Sequence, residues 1–385
     1  MKILLLAPQP FFQNRGTPIA VKLLLEILAN AGHKIHLIVY HEGEDIEIPN
    51  VTLHRIPPLF GIKDLKPGFS FKKIVCDIIM TYVCIKMLHN IKFDLIHAVE
   101  ESVFIATLMK LLYNIPFIYD MDSSLSGQLT DKFKILRSFN HLFESFEKTA
   151  VHHSIGVIAV CKSLEKTAIK YDNNKKILRL EDISLLTDKE EKYDPLRKAL
   201  NITGPIIMYV GNLENYQGID LLLESFHLLS NRLPGTNLVI IGGSNIDIKK
   251  YKTLSRQLGK EKSIHFIGPK PLSQLGSYLK QADILVSPRI KGENTPMKIY
   301  SYLDSGKPLV ATALPTHTQV LDEEIAMLVP PDTKKMAEGF SILINDDQLA
   351  KKMASQAKKR VKKEFSFNAF KTKLLNFYEL MENEK

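Results

Sequence analysis

Short β-branched runs alternate with stretches of helical length almost from end to end of the chain, and that alternation leaves few folds open. Strand-like runs occur at Lys2–Ala7, Lys34–Tyr40, Asp94–His97, Pro116–Asp120 and Gly156–Val160. A second series follows at Ile206–Val210, Leu238–Ile241, Ile264–Ile267, Ile284–Ser287 and Leu309–Thr312. Amphipathic segments such as Thr17–Ala29 and Gly218–Leu229 stand between them. Strands that are apolar along their whole length are buried on both faces, which predicts parallel sheets covered by helices on each side, an α/β doubly wound architecture. A polar stretch from Ser184 to Asn201, containing Pro195, interrupts the pattern before it restarts. The expected division is therefore a domain over residues 1–183, a linker over 184–201 and a second domain over 202–364. A closing helix over 367–383 is expected to pack back on the first domain. A length of 385 residues suits two such cores.

Composition narrows the class. With 45% apolar and 24% charged residues the chain is that of a folded globular protein rather than a disordered or collagen-like one. Its three cysteines, Cys76, Cys84 and Cys161, have no metal-ligand spacing and form no disulfide framework, which suggests a reducing compartment. The apolar run after Met1 stops at Pro8, too short for a signal peptide. Ile74–Leu88 is interrupted by Asp77 and Lys86 and falls short of the ~18 uncharged residues of a membrane span. A cytoplasmic protein is expected, with the inner face of the cytoplasmic membrane as a candidate contact. The net charge of +9 comes with no nucleic-acid-binding motif, and the basic run from Lys351 to Lys363 reads as a solvated helix face.

In doubly wound sheets ligands sit beyond the carboxyl ends of the strands, so the loops there are where chemistry is sought. The first such loop, Pro8 to Pro18, holds Gly16 and Thr17 at a helix start but lacks the Gly-x-Gly-x-x-Gly spacing of a dinucleotide site. It serves equally as a structural turn or a ligand loop. His97, Glu100 and Glu101 lie at or just past one strand end, and Asp120-Met121-Asp122 at another. That carboxylate pair can hold a hard cation, cap the following segment or meet sugar hydroxyls. Gly211–Gly218 and Gly242-Gly243-Ser244 are glycine loops able to approach phosphate or base, and each also makes an ordinary turn. The most specific stretch is Ser287 to Thr312. It places Arg289, Lys291 and Lys298 beside a predicted helix start, which suits a diphosphate, with Glu293 as an acceptor for sugar hydroxyls.

Taken in order, these pieces resemble the family 4 retaining glycosyltransferases of the GT-B fold. The resemblance runs from the Gly16 loop and Ala31-Gly32-His33 through Gly211–Gly218, Ala282-Asp283 and Val286-Ser287-Pro288. It continues through Gly306-Lys307-Pro308-Leu309-Val310-Ala311-Thr312 to Leu328-Val329-Pro330-Pro331-Asp332. It implies two facing Rossmann-like domains, an N-terminal acceptor side and a C-terminal nucleotide-sugar side. Glu293, Arg289 and Lys298 become the candidate catalytic residues, with Gly211, Glu214, Gln217, Gly218, Gly243, Asn294, Thr295, Pro296 and Ser301 at the donor. Gly16, Thr17, His97, Glu101, Asp120 and Asp122 fall on the acceptor side or near the sugar.

The donor motif departs from the family's. Its second Glu falls at Ser301, and the Arg and Lys that brace the diphosphate fall at Asn212 and Gln217. Arg289 and Lys298 are expected to supply that charge from elsewhere. No metal and no cofactor beyond the nucleotide-sugar substrate is implied. The expected reaction moves a sugar from a nucleotide-diphosphate sugar to a glycan or lipid-linked acceptor with retention, in envelope or exopolysaccharide synthesis. Two rival readings are a non-catalytic binding protein of this fold and a nucleotide-sugar epimerase or hydrolase. Residues 60–92, basic and rich in aromatics, read either as a helix buried in the fold or as one lying on a membrane surface.

Overall fold

The computed structural model describes residues 1–13, 16–65, 68, 70–124, 140–186 and 195–383. Asn14 and Arg15 of the first loop and residues 187–194 of the expected linker lie outside the described residues. The chain divides into two units, Met1–Glu181 with Phe370–Lys385, and Asp182–Ala369.

The first unit is built on a parallel sheet of β1 (Lys2–Ala7), β2 (Lys34–Val39), β3 (Val51–Arg55), β4 (Leu95–Val99), β5 (Phe117–Met121), β6 (Gly156–Ala159) and β7 (Ile177–Arg179). Their spatial order is β3-β2-β1-β4-β5-β6-β7, so the order reverses between β1 and β4. The second unit holds β8 (Ile206–Val210), β9 (Asn237–Ile241), β10 (Ile264–Gly268), β11 (Ile284–Ser287), β12 (Leu309–Thr312) and β13 (Met327–Val329). Here the order is β10-β9-β8-β11-β12-β13, again all parallel, reversing between β8 and β11. Helices bury both faces of each sheet, which is why Ile3–Ala7 and Ile206–Tyr209 are fully buried despite their alternating directions. At each reversal the loops after the two central strands leave in opposite directions, and the gap between them is the natural ligand crevice.

Three strands have no counterpart in the sequence pattern: β3, β7 and β13. Each lies at a sheet edge, with one neighbour and partial burial, so it needs no continuous apolar run. The expected linker is also corrected at its ends. Leu185 and Leu186 belong to the second unit, and Leu196 is buried there, its N–H donating to Gln281 Oε1 at 2.7 Å. Arg197 pairs with Asp283 at 2.6 Å. A segment expected as linker from its polar composition thus carries Leu196 into the core of the second unit.

The helix Phe367–Glu382 returns to the first unit from Phe370 onward. Leu374, Phe377, Tyr378 and Met381 form its buried stripe, at the spacing of one helical face. A Cβ on Gly156 would meet Met381 Sδ and Phe377 Cζ at 2.7 Å, so the bare backbone of β6 is what lets the helix sit so close.

Candidate functional site

The loops after β8, β11 and β12 meet at the reversal of the second sheet, and two cations are folded into them. Lys298 opens the helix Lys298–Asp304, and its Nζ donates to Tyr209 Oη at 2.8 Å and Gln217 Oε1 at 3.1 Å. The ammonium also stands 4.0 Å from the centre of the Tyr209 ring. Arg289 follows β11 and lies 5.1 Å from the Tyr216 ring. Its Nε donates to Lys291 O at 2.9 Å, and its Nη1 to Asn294 O at 2.9 Å and Thr316 Oγ1 at 3.2 Å. Among the described residues neither cation has a carboxylate partner.

That arrangement is electrostatically costly. Burial, reinforced by the charge of Arg289, holds the Lys298 amine well below the ordinary lysine value. Burial likewise pulls Arg289 down, against the opposing pull of Tyr216 and Tyr209. A ring face returns on the order of 1–2 kcal/mol to a cation above it. A buried charge stripped of its counter-ion costs about 3–5 kcal/mol. The surplus is positive charge awaiting an anion.

Glycines make the room. A Cβ on Gly211 (φ +150°) would lie 2.8 Å from Lys298 Nζ, and one on Gly292 (φ +135°) 2.6 Å from Arg289 Nη2. Behind the cations stands a second layer. Thr312 Oγ1 donates to Arg289 O at 2.5 Å and Thr316 Oγ1 to Asn294 O at 2.6 Å. His317, fully buried, places Nδ1 2.9 Å from Thr312 O and Nε2 2.9 Å from Ser287 Oγ. Burial lowers its pKa to about 4, so it is a neutral imidazole that donates from Nδ1 and accepts from Ser287. The sequence gives these backing residues no signature, because a threonine or a single histidine after a strand is unremarkable until the loops are brought together.

The expected donor residues part company here. Gln217 is buried and accepts from Lys298, so the charge missing at position 217 reaches that loop from the Lys298 side chain. Gly211, Gly218 and Gly243 line the turns after β8 and β9, where a Cβ on Gly218 would strike Pro288 O and one on Gly243 the Leu213 side chain. Asn294 contributes its carbonyl to Arg289, and Pro296 O receives Ile299 N–H. Thr295 Oγ1 is buried with no hydrogen-bond partner among the described residues. Glu293 and Glu214 are exposed, and the Glu293 carboxylate makes no bond among the described residues. Ser301 is the correction. It is fully buried and its Oγ accepts the Leu185 N–H at 3.0 Å, so it supports the chain entering the unit and offers no surface to a ribose.

In the first unit the carboxyl ends of β2, β4 and β5 gather charge of the other sign. Glu101 pairs with Lys73, which reaches in from the helix Phe71–Asn90. Asp77, on the same helix, accepts from Tyr40 Oη at 2.5 Å, and Glu100 accepts from Ser123 Oγ at 3.1 Å. Burial, then the charge of Glu101, raises both Asp77 and Glu100 to about 7. Burial alone would lower Lys73, but Glu101 and Glu100 outweigh it and hold the ammonium above its ordinary value. Of the expected acceptor-side residues, Gly16 opens the helix Gly16–Asn30 exposed with Thr17 half-buried beside it, and Asp122 is half-buried after β5. His97 is corrected. It is fully buried, with Nδ1 2.6 Å from Tyr378 Oη of the C-terminal helix and Nε2 3.0 Å from Asp120 Oδ2 on β5, so both ring nitrogens are engaged within the unit. Tyr378 lies 281 positions away in the chain, which no local pattern could reveal. Among the described residues no group of three or more His, Cys, Asp or Glu is placed to hold a metal.

Comparison with known proteins gives the family and the fold. The family described as Glycosyltransferase Family 4 matches residues 15–179, and that described as Glycosyl transferases group 1 matches 192–360. The D-inositol 3-phosphate glycosyltransferase of Corynebacterium aurimucosum is 29% identical over 45% of this chain and 42% of its own. The chain thus spans about half the length of the first curated relatives it matches. Among solved structures, a sucrose-phosphate synthase from Thermosynechococcus elongatus covers 100% of both chains at a TM-score of 0.80 and 18% identity. The Anabaena protein HepE in complex with UDP covers 98% of this chain and 100% of its own, with a TM-score of 0.77 and 16% identity. These likenesses give the fold, which is GT-B.

Proposed function

The chain belongs to the family 4 glycosyltransferases, and we propose that it transfers a sugar from a nucleoside-diphosphate sugar, with UDP as the first nucleotide to try. The observation that carries the reading is the pair of half-buried cations, Arg289 and Lys298, at the reversal of the second sheet, with no carboxylate partner among the described residues. A diphosphate is the anion whose size and charge suit two cations from adjoining loops. Charge grows on that diphosphate as the glycosidic bond breaks, so the same cations stabilise the transition state more than the ground state. Retention follows if the leaving phosphate takes the acceptor proton on one face of the sugar, which requires no protein base. Glu293, exposed and with its carboxylate unbonded among the described residues, is free to orient the sugar.

For the acceptor we infer a lipid-linked or membrane-borne glycan. The helix Phe71–Asn90 is neither wholly buried nor wholly exposed. Cys76, Met80 and Cys84 face the core, while Phe71 (76% exposed), Val75, Ile78 (62%) and Tyr82 (64%) form the outer stripe, flanked by Lys72 and Lys86. Exposed Leu111 and Leu112 extend the apolar surface on the helix Val103–Tyr113, whose Tyr113 meets His89 edge-on at 5.9 Å. An apolar stripe between lysines suits an anionic bilayer surface, and no described helix is long and apolar enough to cross one.

The test is thermal unfolding against UDP, GDP, ADP and their sugar conjugates, followed by turnover of the conjugate that binds. A ligand at 100 times its Kd adds roughly 2.7 kcal/mol, or about 5–10 °C for a unit of this size. A shift with one nucleotide, and donor consumption that requires an acceptor, supports the transferase. Consumption without acceptor gives the hydrolase or epimerase, and binding without consumption the non-catalytic protein. Vesicles with anionic lipid should pellet the wild type but not Ile78→Asp; pelleting that ignores both lipid charge and substitution overturns the membrane reading.

A further inference from the structure

We propose that Thr316 is a positioning residue of the donor site. Its hydroxyl, with the carbonyls of Lys291 and Asn294, cradles the Arg289 guanidinium and leaves Nη2 for the diphosphate. The inference rests on the reading of the site as a nucleoside-diphosphate-sugar site and concerns how one of its cations is aimed.

A guanidinium is a flat fork, so its bonds fix its direction as well as its place. Nε donates to Lys291 O at 2.9 Å, and Nη1 is shared between Asn294 O at 2.9 Å and Thr316 Oγ1 at 3.2 Å. Thr316 gives its own proton to Asn294 O at 2.6 Å, so towards Arg289 it can only accept. Guanidinium, hydroxyl and carbonyl thus close a triangle in which every proton has one direction. Nη2 is left without a hydrogen bond among the described residues. Glycine at 292 keeps that nitrogen clear, since a Cβ there would stand 2.6 Å from it.

Thr316 is itself held by the sheet. It is fully buried in the turn after β12, next to His317, which is tied to two strand ends through Thr312 O and Ser287 Oγ. The Arg289 carbonyl accepts from Thr312 Oγ1 at 2.5 Å. Backbone and guanidinium of the arginine are therefore both fastened to residues at the end of β12 or just past it. A cation so supported keeps its geometry while charge develops on a ligand, as electrostatic stabilisation requires. A carboxylate would hold the fork equally well but would cancel its charge. One hydroxyl and two carbonyls aim it and leave it positive.

Titration calorimetry with UDP, or whichever of GDP and ADP binds, tests the cradle. UDP is the probe because it is the leaving group, carries the charge that develops in transfer, and binds without an acceptor. Thr316→Val should raise Kd about fivefold, and Thr316→Ser should restore it. In an Arg289→Ala background Thr316→Val should add nothing, because the residue acts through the arginine. Arg289→Lys should bind within about threefold of Arg289→Ala, since an ammonium cannot fill a cradle built for a fork.

A Thr316→Val protein with wild-type affinity overturns the positioning and leaves the donor reading intact. An equal loss in both backgrounds overturns it too, by showing that Thr316 acts on the fold rather than on Arg289. Should Thr316→Val fail to fold, the Lys variant decides, and wild-type affinity there overturns the cradle. If UDP, GDP and ADP all fail to bind the wild type, the donor reading falls, and this inference with it.

Discussion

At the carboxyl edge of the first sheet three carboxylates, Asp77, Glu100 and Glu101, crowd one ammonium, Lys73. At the same edge of the second, Arg289 and Lys298 have no carboxylate partner among the described residues. Both sets stand where a doubly wound sheet opens, and both are largely half-buried, yet their charges are resolved differently. The first set answers its excess internally: two carboxyls are held up to about 7, and hydroxyls of Tyr40 and Ser123 donate to them. In the second the excess is met only by carbonyls, hydroxyls and ring faces, which soften a charge without neutralising it. A unit that balances its own charge needs nothing further to be stable; one that does not is preorganised for an anion, at a standing cost to the fold.

The largest expected effect lies on the unbalanced side. Replacing both Arg289 and Lys298 by Ala should lower kcat/KM by more than ~10²-fold, the usual loss for a single donor to a developing oxyanion. It should also leave the protein as stable as before or more so, because two uncompensated charges are removed. Unchanged kinetics would end the proposal. The mirror experiment is Lys73→Met, which strips the first unit of the cation on Glu101 and should cost about 3–5 kcal/mol. Chemical denaturation reads it, and a neutral result would mean that protonation of the carboxyls suffices by itself.

A smaller effect separates the two sets by pH. Asp77 and Glu100 bind protons more tightly folded than unfolded, from ordinary values of 3.8 and 4.5 up to about 7. Their contribution to stability is therefore complete below pH ~4 and is lost as pH rises towards 7. Each feels the charge of Glu101, so neither titrates as an isolated site. The melting temperature should drop by about 5 °C between pH 5 and 8, and Asp77→Asn with Glu100→Gln should remove most of that slope. The smallest effect expected is at Ser301. Ala there forfeits one hydrogen bond to Leu185, about 1 kcal/mol, and leaves KM for the donor unchanged. A raised KM would return Ser301 to the ligand.

How far the site was legible follows the same division. Arg289 and Lys298 stand nine positions apart in one strand–turn–helix stretch, so their convergence could be read from order and spacing. That Lys298 would reach the Gly211–Gly218 loop, and so replace the charge absent from Gln217, needed the packing of Tyr209 beneath it. His97 and Ser301 sit where a family pattern places ligand contacts, yet each is buried against a distant part of its own unit. The stripe of Phe71, Val75, Ile78 and Tyr82 was hidden by a helix that is apolar nearly all round, because hydropathy alone does not say which face meets a neighbour.

The amino-acid sequence alone determined what is local or periodic. Buried parallel strands must be apolar at successive residues, helices must show one apolar face, and their alternation admits essentially one architecture per unit. Edge strands, the docking of Leu196 and the partners of each buried polar group were decided only in the tertiary structure. Those depend on which loops are brought together by strand order, and on whether a charge so buried finds its opposite. Strand order is a property of the whole sheet, and no window of sequence contains it.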